Sequence, residues 1–100
     1  MIELTNEVFE EEIKNGLVLA DFYATWCGPC KMMHPVIDEL SNKYENLKII
    51  KVDVDKHEEL ARKYGIMSIP TLILMKDGNV VEKNIGYTPI NTLEEWVNNN

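Results

Sequence analysis

Cysteine and histidine are scarce in this 100-residue chain: Cys27 and Cys30 are the only thiols, His34 and His57 the only imidazoles. Two thiols separated by two residues cannot staple distant parts of a chain, which excludes the disulfide framework of a small secreted scaffold. The same four residues are the whole Cys/His supply for a metal site, and they lack the short histidine spacing of a zinc finger. Long apolar runs are missing: Leu72 to Met75 ends at Lys76, and nothing approaches the ~20 residues of a membrane span. Met1-Ile2-Glu3-Leu4 shows neither the basic nor the apolar region of a signal peptide, so a cytoplasmic location is expected. Positive charge is in the minority, with 10 Lys and Arg against 17 Asp and Glu and a net charge of −7. Such a surface repels phosphate, so neither nucleic acid nor an anionic membrane is an expected partner.

What is present suits a folded unit. The chain is 45% apolar, enough to bury a core, and its length matches a single domain over residues 1–100, with a monomer as the default. Ile2 to Leu4 reads as a short first strand. Thr5 or Asn6 is the expected cap of a helix reaching about Lys14, with Phe9 and Ile13 inward and Gly16 as its stop. Leu17 to Ala24 is continuously apolar apart from Asp21, as in a central strand covered on both faces. Met33, Val36, Ile37, Leu40 and Tyr44 then recur on one face of a long helix, with a kink expected at Pro35. Leu47 to Val54 is the next strand and Glu58 to Tyr64 a short helix ended by Gly65. Thr71 to Met75 and Val80 to Ile85 form a hairpin through Lys76-Asp77-Gly78-Asn79. Thr88 caps a last helix, with Pro89 at its first position and Ile90, Leu93 and Val97 inward. The order β-α-β-α-β-α-β-β-α defines an α/β fold, a mixed sheet between helices.

Trp26-Cys27-Gly28-Pro29-Cys30 falls where the central strand passes into the long helix. A thiol at a helix N-terminus faces unpaired N–H groups and the positive end of the helix dipole, which favour the thiolate that attacks disulfides. Cys30 follows by one turn and is expected further inside, so Cys27 is the candidate nucleophile and Cys30 the resolving thiol. Gly28 leaves room for a partner backbone, and Pro29 gives up an N–H that the first turn does not need. Neither adds charge, so the pair prefers the disulfide and the dithiol gives electrons away. An inert buried pair and a metal-bridged module are the alternatives.

The segment Asp21-Phe22-Tyr23-Ala24-Thr25-Trp26-Cys27-Gly28-Pro29-Cys30-Lys31-Met32, followed by Tyr64-Gly65-Ile66, Ile69-Pro70-Thr71 and Gly86, resembles the thioredoxin family over essentially the whole chain. The resemblance implies the thioredoxin fold and a general protein-disulfide reductase without a bound cofactor. It also implies recharging by a thioredoxin reductase, and disulfide-bearing proteins as substrates. Asp21 is then a buried acid beneath Cys30 that carries its proton, in keeping with the cost of burying an unpaired carboxylate. Lys51 matches the lysine that pairs with this acid. The Ile69-Pro70 bond, trans on general grounds, becomes a cis bond facing the cysteines. Trp26, Gly28, Pro29, Ile69, Pro70, Ile85 and Gly86 become an apolar substrate-binding patch around Cys27. The plainer readings are core packing for Trp26 and Ile85, and a turn needing positive φ for Gly86. Three positions depart from the common pattern: Tyr23 replaces a frequent tryptophan, Tyr87 a small residue, and His34 shares the helical stripe of Cys27 and Cys30. His57, in a charged stretch, reads as surface. A thioredoxin-like scaffold, working through its apolar patch rather than its thiols, is the competing function.

Overall fold

The computed structural model describes residues 1–100. The chain runs β1 (Ile2–Glu3), α1 (Phe9–Glu12), β2 (Leu17–Tyr23), α2 (Gly28–Lys43), β3 (Lys48–Asp53), α3 (Glu58–Lys63), β4 (Thr71–Lys76), β5 (Asn79–Ile85) and α4 (Ile90–Asn99). One five-stranded sheet has the order β1-β3-β2-β4-β5. β1 and β2 lie parallel to β3, whereas β4 runs antiparallel to both β2 and β5.

β2 is central because both of its faces are apolar, and side-chain alternation splits it between two layers. Val18, Ala20 and Phe22 join Phe9, Ile13, Ile50, Val52 and Ile73 on one side, with Leu60 and Tyr64 packed against them. Leu19 joins Ile49, Leu72 and Leu74 on the other, beneath Met33, Ile37 and Leu40 of α2 and Leu93 of α4. Asp21 has the parity of Leu19. Alternation therefore sends this carboxyl to the α2 side.

Two helix starts differ from those expected. α1 is a four-residue helix whose N-cap is Val8, not Thr5 or Asn6; Glu7 takes up Thr5 instead, its Oε1 accepting from the Thr5 N–H at 2.7 Å and the Thr5 hydroxyl at 3.2 Å. Pro89 is the N-cap of α4 rather than its first helical residue. Thr88, one residue earlier, donates its hydroxyl to the Gly86 carbonyl at 3.2 Å and accepts from Asn84 Nδ2 at 2.6 Å. α2 continues through Pro35 to Lys43 as one helix. The hairpin turn forms at Asp77-Gly78, both with positive φ (50° and 86°), the geometry of a two-residue turn matched to sheet twist.

Candidate active site

Cys27 is the N-cap of α2, in extended backbone at the end of the strand-to-helix turn, and its Sγ accepts the Cys30 N–H at 3.3 Å. The sulfur therefore occupies the place of an N-cap oxygen, against a 16-residue helix whose dipole points its positive end at it. Pro29 sits in the first turn, where its missing N–H leaves nothing unpaired. A disulfide joins Cys27 to Cys30. The two residues are about equally buried, 5% and 7% exposed. Cys30 is thus not the deeper of the two, because both pack in the same small cluster with Ala24, against Tyr23, Val54 and Ile69.

They differ in what surrounds them. Cys27 Sγ lies 3.8 Å from the Ile69 carbonyl oxygen, and the Ile69-Pro70 peptide is cis. Ile69 is half-buried and Pro70 buried, so Pro70 underlies the surface rather than forming it. The Pro70 carbonyl accepts from Gly86 N–H at 2.7 Å. Gly86 has φ 94°, so the turn itself demands glycine there. Ile85 pairs with Thr71, next to Pro70, and is 62% exposed. Trp26 is 68% exposed. Neither Ile85 nor Trp26 is core. Gly28 is exposed too, with nothing within 4 Å of where a Cβ would stand.

Asp55 escaped the sequence reading. Its Oδ2 accepts from Trp26 Nε1 at 2.8 Å, and its own N–H donates to the buried Asp53 Oδ1 at 2.9 Å. This pins an exposed indole, and the only local signal was a run of charge at Asp53 to Glu59. His57 is half-buried rather than free on the surface, with Nε2 2.9 Å from the Leu4 carbonyl oxygen.

Cys30 opens instead onto a groove of about 500 Å³ lined by Glu3, Tyr23, Lys31, His34 and Lys51. Asp21, in strand register with the groove-lining Lys51, is 2% exposed, and its Oδ1 has no hydrogen-bond partner. Burial pushes the Asp21 carboxyl up to about 6, against the smaller opposing pull of Lys51; Glu3 adds to the rise. Lys51 stands beside Asp21 in the β2–β3 register, and its Nζ lies 4.6 Å from the centre of the Tyr23 ring. The Tyr23 hydroxyl donates to Glu3 Oε2 at 2.6 Å; burial and this bond push the phenol well above its ordinary value. No three of the Cys, His, Asp or Glu side chains converge as a metal site would need. No helix is long and apolar enough to cross a membrane.

A disulfide at a helix N-terminus, an exposed apolar rim and a buried acid nearby make a thiol–disulfide exchange site. The family model described as Thioredoxin matches residues 1–99. A thioredoxin of Bacillus subtilis is 52% identical over 99 residues, covering 98% of this chain and 95% of that one. One from Listeria monocytogenes is 53% identical over 97 residues, 96% of this chain and 94% of that one. The crystal structure of mitochondrial thioredoxin 3 from Saccharomyces cerevisiae, in its oxidized form, superposes with a TM-score of 0.85 at 40% identity, over 92% of this chain and 87% of that chain. The chain belongs to the thioredoxin family. It has the thioredoxin fold, Cys27 and Cys30 are a redox-active pair, and the protein is a protein-disulfide reductase.

Proposed function

We propose that Cys27 is the attacking thiolate, Cys30 the resolving thiol and Asp21 the proton carrier of a general disulfide reductase. The Cys27 thiolate attacks one sulfur of a target disulfide, forming a mixed disulfide and releasing one target thiolate. Asp21, ionised, takes the proton of Cys30. The Cys30 thiolate attacks Cys27 Sγ, closes the Cys27–Cys30 disulfide and releases the second target thiolate. Two electrons pass from the pair to the target; the Cys30 proton held by Asp21 and one from solvent turn the two released thiolates into thiols.

The observation that carries this reading is Cys27 Sγ in the N-cap position, accepting the Cys30 N–H at 3.3 Å, where negative charge on sulfur is stabilised. Trp26, Gly28, Pro29, Ile69 and Ile85, over Pro70 and Gly86, form the docking surface. The Ile69 N–H makes no backbone hydrogen bond within the chain, so an extended target segment can pair with it. Lys51 adjusts Asp21. The 1–100 unit acts as a monomer in the cytoplasm, recharged by a thioredoxin reductase and serving electron transport and redox homeostasis through many protein disulfides.

The test is a redox titration in defined dithiol/disulfide buffers, read by thiol trapping. A reversible two-electron transition more reducing than the glutathione pool is expected; a more oxidising midpoint, or none, overturns the reading. Replacing both cysteines by serine separates it from a scaffold role, which would survive the change.

A further inference from the structure

Glu3, Lys51 and Asp21 lie side by side across β1, β3 and β2: Lys51 is in register with Glu3 on one flank and with Asp21 on the other. Neighbouring strands are ~4.8 Å apart, so a four-carbon stem starting between two carboxylates can fold toward either. Lys51 does neither. It makes no ion pair within 4.0 Å of Glu3 or Asp21. Glu3 is engaged by the Tyr23 hydroxyl at 2.6 Å, and Asp21 keeps an unpartnered buried oxygen. The Lys51 ammonium instead lies 2.9 Å from His34 Nδ1 and 4.6 Å from the centre of the Tyr23 ring. An ammonium has only donors, so His34 Nδ1 is the acceptor in this contact.

We propose that His34 is a positioning residue: it accepts from Lys51 Nζ and holds that cation over Tyr23, out of ion-pair reach of Asp21. Lys51 is the one cation that can neutralise the Asp21 carboxylate at contact distance, so where it is parked sets how readily Asp21 gives up its proton. The charged and titratable groups facing this cluster are Glu3 from β1, Tyr23 and Asp21 from β2, Lys51 from β3, and Lys31 and His34 from α2. Glu3, Tyr23 and Lys31 belong to Asp21's surroundings whatever His34 does. His34 is the group with which Lys51 Nζ is in hydrogen-bond contact.

The functional meaning rests on the proton-carrier role proposed for Asp21, and the test separates the two. The side-chain carboxyl carbon of Asp21 is followed by NMR across pH 4–8 in the oxidised protein, where no target is present. In His34→Ala the freed Lys51 reaches the carboxylate, and the Asp21 midpoint falls by at least ~0.5 pH unit. His34→Asn, whose Oδ1 falls close to the place of the ring Nδ1, restores the wild-type midpoint. Lys51→Met raises the midpoint, and adding His34→Ala to it changes nothing further. An unmoved or raised midpoint in His34→Ala, or an equal fall in the Lys51→Met background, overturns the proposal. The pH profile of mixed-disulfide resolution is recorded beside it. A midpoint that falls while that profile stays still supports the hold on Lys51 and overturns the proton-carrier role.

Discussion

Adjacent residues of β2 enter opposite layers of the sheet and meet opposite conditions. Phe22 enters a layer in which its ring lies 6.1 Å from Phe9 and 6.1 Å from Tyr64, and Phe9 meets Tyr64 edge-on at 5.3 Å. The one buried polar residue opposite Phe22 is Thr71, and its hydroxyl is satisfied by the Ser68 carbonyl at 2.6 Å. Asp21, one residue earlier, enters the layer beneath α2 with an unpartnered oxygen and a carboxyl pushed up to about 6. The α1/α3 side is built as a core; the α2 side accepts a group that water would hold better. Burying a carboxyl without a partner is destabilising once it ionises, so the second layer gives up stability where the first gains it. The unpartnered carboxyl lies where one helix, with its N-terminus and its disulfide, covers the sheet.

The comparison is broken most completely at the sulfur itself. Cys27→Ser leaves both layers intact and lowers disulfide reduction by more than ~10³-fold in a turbidity or fluorescent-disulfide assay, because the nucleophile is gone. Phe22→Ala strikes the other layer. It costs about 3–5 kcal/mol in urea unfolding, the range for deleting a buried aromatic, while disulfide exchange in the remaining folded protein keeps its rate.

Asp21 sharpens the contrast through pH. Its carboxyl binds a proton more tightly folded than unfolded (about 6 against 3.8), so protonation favours the fold. Below the unfolded value the group is neutral in both states and costs nothing; as pH rises through about 6, about 3 kcal/mol of stability is lost. Asp21→Asn removes this slope, seen as the difference between wild-type and variant unfolding free energies from pH 4 to 7.5. The same variant slows mixed-disulfide resolution by about 10²-fold, the low end for a general acid–base group. A parallel slope in both proteins would show that Asp21 is not the group responsible.

The smallest effect tests how the α2 layer holds the loop beyond Gly86. Thr88 is fully buried, and its N–H donates to Met33 Sδ at 3.2 Å. Met33→Leu keeps the volume and removes the acceptor, leaving a buried N–H unpaired at a cost of about 1–3 kcal/mol. Thr88 amide exchange accelerates accordingly, whereas Phe22 amide exchange keeps its rank among the slowest.

Much of this was legible in the chain. Alternation within β2 and the 3.6-residue stripe of Met33, Ile37 and Leu40 are local patterns, and apart from the shorter α1 the strands and helices fell within a residue or two of expectation. The Cys27-to-Cys30 spacing at a strand–helix junction identified the reacting atoms. Gly86 and Asp77-Gly78 carry positive φ, as their residue types suggested. The local rules failed where a side chain found another partner. Thr5 looked like a helix cap but was taken by Glu7, and Thr88 turned back onto Gly86 and Asn84. Trp26 was expected in the apolar patch with core packing as the plainer alternative, but nothing local pointed to Asp55, 29 residues away, as the group that holds it.

The sequence by itself determined the order of the elements, the apolar layers and the dithiol at the start of α2, because each depends on residues a few positions apart. Only the tertiary structure decided that Glu3, Lys51 and Asp21 stand abreast, that Lys51 turns to His34, and that Met33 receives the Thr88 N–H across 55 residues. These contacts follow from strand register and from the path of α2 over the sheet. A shift of one residue in either would send every side chain concerned to the opposite face or out of reach.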